Sequence, residues 1–188
     1  MRIYREKKTV QHGADEMFAL VAAMERYPEF LPFCERNVVR SRRMEDDAEI
    51  VVSEMTIAFN FLRESFRSRV TLDRTRRRIL IESADGPLRE LRTRWTFSPI
   101  NADSCDIELL LSYELANPIF AALLGSVLET AFSRFVEAFQ HRADAVYGRA
   151  TPGRSRRARR LRPALTDHCP RSPSSAPLQE NGDPAAVA

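Results

Sequence analysis

One pattern constrains the fold of this chain more than any other. Through its middle, apolar and polar residues alternate with a period of two, stretch after stretch, and a single long segment with a helical period follows. Between Glu49 and Phe61, the residues Met55, Ile57, Phe59 and Phe61 fall on one face, and Glu54, Thr56 and Asn60 on the other. Phe66, Ser68, Val70 and Leu72 oppose Arg67, Arg69 and Thr71. Arg78 to Ala84 is a shorter strand, and Asp85-Gly86-Pro87 is a turn by composition. Leu91, Thr93, Trp95 and Phe97 then alternate with Arg92 and Arg94. Cys105, Ile107, Leu109, Leu111, Tyr113 and Leu115 alternate with Asp106, Glu108 and Glu114. Such patterning predicts a meander of antiparallel strands with one apolar face. On the outer face, Arg92 and Arg94 are expected to pair with Asp106 and Glu108 across neighbouring strands.

Ahead of the meander, Ile3 to Val10 reads as an opening strand. A helix then starts at Gly13-Ala14-Asp15, with Asp15 near its N-terminus, where an acidic side chain suits cap and dipole. Pro28 and Pro32 limit Tyr27 to Phe33 to a short second helix with turns. Behind the meander, Pro118 opens an amphipathic helix of about 28 residues, roughly 40 Å at 1.5 Å per residue. Its stripe runs through Leu124, Leu128, Phe132, Phe135, Phe139 and Val146, and Gly148 stops it. The fold class is therefore α+β: a curved antiparallel sheet wrapped around a long C-terminal helix, with two short helices after the first strand. Phe59, Phe61, Phe66, Trp95 and Phe97 from the sheet face Leu124, Leu128, Phe132 and Phe135 from the helix. A bent sheet and a straight rod do not mate along their whole length. The space between them is either filled by these side chains or is an apolar cavity for an apolar ligand.

Other chemistries are poorly provided for. The six glycines are scattered, which excludes clustered-glycine phosphate loops and dinucleotide turns. Cys34, Cys105 and Cys169, like His12, His141 and His168, show no metal-ligand or disulfide spacing, so no metal or cofactor is expected. Asp85 and Glu90 are the nearest approach to an acid–base pair, but the inward faces carry almost no ionisable groups, and no catalysis is expected. No secretory signal is visible, and the longest charge-free apolar run is too short for the about 20 residues of a membrane span. A cytoplasmic location is the expectation, peripheral at the inner membrane if the tail binds lipid.

Charge is divided unevenly. The 38 residues from Thr151 onward hold seven arginines against Asp167, Glu180 and Asp183, and six of the eleven prolines. The net charge of +3 thus belongs to the tail, leaving the body near −1. A segment so poor in apolar residues is expected to be disordered, giving a domain over residues 1–148 and a tail over 149–188. Its RSRRARRLR run (154–162) is either a basic extension without a partner or an anchor for anionic membrane or RNA phosphate.

Three stretches carry a resemblance. Tyr27 to Cys34 reads YPEFLPFC, Asp85 to Phe97 reads DGPLRELRTRWTF, and Phe132 to Gly148 reads FSRFVEAFQHRADAVYG. With the element order, they resemble the coenzyme Q-binding branch of the START-like polyketide cyclase/dehydrase superfamily, a branch that includes ribosome association toxins. The resemblance runs from about Ile3 to Gly148 and implies a helix-grip fold. It implies a non-catalytic protein that binds ubiquinone or a polyisoprenoid precursor and supports quinone synthesis or delivery to the respiratory chain. On this chain, Pro28, Leu31 and Pro32 would shape the cavity mouth and Trp95 would line it. Tyr27 and Phe30 complete the contacts, with the Tyr27 hydroxyl either on a quinone carbonyl or spent on the backbone. Leu88 and Glu90 depart from the branch's usual aromatic and histidine or polar residue. The toxin relatives imply the alternative, association with the large ribosomal subunit to block subunit joining. That role would call on the tail or on the cluster Arg74, Arg76, Arg77 and Arg78.

Overall fold

A computed structural model describes residues 1–59, 62–83, 85–116 and 134–148. β1 (Arg2–Val10) leads into α1 (Ala14–Ala22) and a 3-10 helix (Met24–Glu29). Six further strands follow: β2 (Cys34–Glu45), β3 (Ala48–Phe59), β4 (Leu62–Asp73), β5 (Arg78–Ser83), β6 (Leu88–Asn101) and β7 (Ser104–Leu115). Residues 134–147 are helical and are called α2. The strands form one antiparallel sheet in the order β1-β7-β6-β5-β4-β3-β2. The meander is therefore present, and β1 closes its far edge by pairing with β7 from Arg2↔Tyr113 to Val10↔Cys105.

Four details differ from the expectations. β2 has no counterpart in the sequence reading, because it is an edge strand with only Cys34 and Asn37 buried. Its register shifts at Cys34/Arg36 and Val39/Ser41 mark bulges, which bend a strand and scramble its alternation. The short second helix begins at Met24 rather than Tyr27 and contains Pro28. At the start of α1 the residue before the first turn is Gly13, whose N–H donates to Glu16 Oε2 at 3.1 Å, while Asp15 accepts Arg77 Nε at 2.6 Å. On the outer face Arg92 meets Glu82 of β5, while Asp106 and Glu108 meet Lys7 and Arg5 of β1. The cause is register: Arg92 stands opposite Ser112 and Arg94 opposite Leu110. The Pro118 helix start, with Leu124, Leu128 and Phe132, and the tail over 149–188 lie outside the described residues.

α2 docks by Val136, Phe139 and Ala143, each at most 2% exposed, at helical spacing. Val146, expected on that stripe, is 51% exposed. Gly148 follows the last helical residue with φ 81°, the left-handed stop that glycine allows. Three polar ties fasten α2: His12 Nε2 to Asp144 Oδ1 at 2.7 Å, Tyr147 donating to the Glu16 carbonyl at 3.2 Å, and Arg142 donating to Glu29. The core beneath is aromatic. Phe139 lies 5.3 Å from Trp95, 5.3 Å from Tyr27 and 5.2 Å from Phe30, all edge to face.

The Asp85–Pro87 turn shows why its composition matters. Gly86 has φ +62°, and a Cβ there would meet the Ser65 carbonyl oxygen at 2.5 Å. Asp85 accepts the backbone N–H groups of Gly86 and Arg67, tying the turn to β4. Gly86→Ala combines backbone strain with a clash against main chain. It should destabilise the domain by about 1–3 kcal/mol, read as a lowered denaturant midpoint. An unchanged midpoint would show that the turn does not rest on β4.

Candidate functional site

The period-two faces of β3, β4, β6 and β7 converge on a cavity of about 190 Å³ between the sheet, the 3-10 helix and α2. Its exposure is graded. Val70, Trp95 and Leu109 are at most 4% exposed at one end. Pro32, Phe59, Glu64, Leu88 and Leu115 are half-buried at the other, which is the mouth. The turn at Pro87 and the loop into β2 form the rim.

Among the sequence candidates, Tyr27, Leu31, Pro32, Phe59, Phe66, Trp95 and Phe135 line this cavity. Pro28 and Phe30 do not. Pro28 sits inside the 3-10 helix. Phe30 turns to Phe139 and Tyr27 and borders a shallow external depression with Arg134, His141 and Arg142. Phe61, Leu124, Leu128 and Phe132 lie outside the described residues. The hydroxyl of Tyr27 donates to the Val21 carbonyl, so it is spent on the backbone and not offered to a ligand. Burial also pushes its pKa well above the ordinary tyrosine value.

Several lining residues were not singled out. Ile57, Met55 and Ser53 continue inward from Phe59 along one face of β3, and Glu64 and Ser68 flank the candidate Phe66 on one face of β4. Their parity was already legible in the alternation. Asn37 was hidden because β2 itself was. Phe33 adopts φ 63°, unusual for a bulky residue, and this turns the chain into β2 with the ring edge-on to Phe59 at 5.1 Å.

The cavity's electrostatics are simple. No lysine, arginine or histidine lines it among the described residues. Glu64 at the mouth is its one carboxylate there. Cys34 donates weakly to the Arg36 carbonyl at 3.8 Å, and burial pushes its thiol up to about 11, so it stays protonated. The imagined acid–base pair is not assembled: Asp85 holds the turn and Glu90 is exposed. Among the described residues, no group of three or more His, Cys, Asp or Glu side chains is placed to hold a metal ion. No described helix is long and apolar enough to cross a membrane.

An apolar cavity between an antiparallel sheet and a C-terminal helix is what the comparisons with known proteins bear on. The model of the family described as polyketide cyclase / dehydrase and lipid transport matches residues 10–140. The chain belongs to that family. Within it, the ribosome association toxin RatA of Pseudomonas aeruginosa is 32% identical over 144 residues, covering 73% of this chain and 92% of the toxin. The mitochondrial coenzyme Q-binding protein COQ10 of Dictyostelium discoideum is 26% identical over 145 residues, 75% of this chain and 68% of that one. A solved 18 kDa protein of Caulobacter crescentus superposes with TM-score 0.66 at 26% identity, covering 79% of this chain and all (100%) of that protein. The Zhui aromatase/cyclase of Streptomyces has the same TM-score, 0.66, at 18% identity, covering 81% of this chain and 98% of its own, and shares the fold. This member of the polyketide cyclase/dehydrase and lipid transport family thus has the START-like helix-grip architecture, and its relatives carry both coenzyme Q-binding and ribosome-association names.

Proposed function

We propose that the protein binds a neutral isoprenoid lipid, ubiquinone or a polyisoprenoid precursor of it, and supports quinone synthesis or delivery to the respiratory chain without catalysing a reaction. The observation that carries this reading is the cavity itself, walled mainly by apolar side chains, with a few neutral polar groups and a lone carboxylate at its mouth among the described residues. Each methylene-sized group buried there contributes about 0.8 kcal/mol, partly offset by ordering the tail, so micromolar affinity is expected. A volume of about 190 Å³ lies below the roughly 300–1,000 Å³ of pockets that enclose a drug-sized ligand whole. A long tail therefore extends past the mouth. The absence of a lining cation among the described residues disfavours fatty-acid carboxylates, and a protonated Cys34 thiol and a backbone-bound Tyr27 hydroxyl make poor acid–base catalysts. The protein would work in the cytoplasm at the inner membrane, its Arg-rich tail drawn to anionic lipid at about 1 kcal/mol per basic residue.

The names of the RatA relatives favour a second reading, association with the ribosome. Three of the four arginines of the cluster expected to serve it are already paired with carboxylates. Arg74, Arg76 and Arg77 face Glu49, Asp73 and Asp15. Protein purified from its own cells should yield quinone in an organic extract and should not pellet with ribosomal subunits once salt screens the Arg-rich tail. Pelleting that weakens as salt rises, from protein that neither carries quinone nor takes it from vesicles, would replace the first reading with the second.

A further inference from the structure

The inner face of the sheet is not apolar throughout. Asn37 is 6% exposed and lines the cavity, yet both polar atoms of its carboxamide are buried without a hydrogen-bond partner among the described residues. Ser53 and Ser68, 4% and 5% exposed, line the same wall. They stand directly opposite each other across β3 and β4. Asn37 is opposite Met55, two residues from Ser53 on the same face, so it lies diagonally beside the serine pair. Opposed residues bring Cβ atoms about 4.5–5.5 Å apart, and diagonal neighbours about 7–8 Å. One carboxamide and two hydroxyls thus gather at mid-depth, between the mouth residues Phe59 and Glu64 and the buried floor at Val70 and Trp95.

A buried amide that uses neither its donor nor its acceptor costs stability that leucine in its place would not. A ligand that accepts from and donates to the carboxamide would remove that cost. The donors and acceptors here are all neutral, and Glu64 lies four residues from Ser68 on the same face of β4, toward the mouth. An anionic head is therefore repelled, and a neutral head bearing carbonyl or hydroxyl oxygens is matched. We propose that Asn37, Ser53 and Ser68 seat the polar head of the bound lipid, which enters head first. Its tail then runs back past Met55, Phe66 and Ile57 to Phe59. This rests on the lipid-binding reading above and adds the head-group chemistry and the orientation.

Two probes test it by calorimetric titration of the full chain: a ubiquinone with a ten-carbon alkyl tail, and a benzene ring with the same tail. Asn37→Leu should bind the quinone about tenfold more weakly, a loss of about 1.4 kcal/mol. It should bind the alkylbenzene as wild type does, and it should melt at a higher temperature because the unpaired amide is gone. Ser53→Ala with Ser68→Ala should show the same selective loss, and it carries the test if the leucine variant does not fold. Unchanged quinone binding in a folded variant overturns the seat and leaves the amide to water. Equal loss of both probes also overturns it, since the polar groups would then only shape the cavity. Wild type that binds neither probe overturns the lipid reading and the seat with it.

Discussion

Leu91→Trp should leave the protein folded and strip it of lipid. Leu91 is half-buried on β6, opposite Tyr113, with its side chain in the cavity wall. An indole directed from that position takes up the space where a tail would lie. If the cavity is open in the folded protein, the added ring finds room in about 190 Å³ and gains contacts, so the melting temperature holds or rises. Quinone recovered by extraction should fall by more than tenfold, the displacement of about two methylene-sized contacts being enough. A wall that is instead tightly packed would answer with about 1–3 kcal/mol of overpacking strain and a melting temperature several degrees lower. Full quinone content in a folded variant would remove this face of β6 from the site.

Phe139→Ala should be the most damaging single change to stability. Phe139 is 2% exposed and its ring meets Tyr27, Phe30 and Trp95, joining α2 to the 3-10 helix and to β6 at one point. Truncating such a residue costs about 3–5 kcal/mol, a large share of the about 5–15 kcal/mol available to a domain. The denaturant midpoint should drop accordingly, and Phe139→Leu, which keeps much of the volume, should drop clearly less. A loss under about 1 kcal/mol for the alanine variant would show that α2 is held by its polar ties to His12, Glu16 and Glu29 instead.

Much of this architecture was legible because a half-buried antiparallel strand advertises itself. On β3, β4, β6 and β7 apolar residues recur at every second position, interrupted at Ser53, Glu64, Ser68 and Thr93, and those positions face the cavity or core. β2 failed the same test for a physical reason. Arg40, Arg42, Arg43 and Glu45 keep both faces of its outer half in water, so no alternation is imposed. The cavity-lining aromatics were legible as large apolar groups on inward faces. The polar seat was not, since a serine on an inward face reads as a tolerated small residue, and Asn37 belonged to the unread strand. Tyr27 shows the limit of reading a residue type as a role. Its ring lines the cavity as expected, but its hydroxyl answers to Val21, six residues earlier in the chain. Partners across the outer face depend on register, and register is set by the bulges and turns between strands.

The position of β1 has a consequence for how the chain is made. It precedes the other six strands in the chain, yet its partner is β7, with Arg2 opposite Tyr113. At about 5–20 residues per second, the nascent β1 waits roughly 5–20 s before the strand it pairs with has been synthesised. Its apolar and charged residues must stay soluble alone through that interval, and Arg2, Arg5, Lys7 and Lys8 make that feasible. The β2–β7 meander is free to assemble strand by strand as it emerges. The first nine residues of structure are added only afterwards, together with the helix whose Asp144 closes on His12.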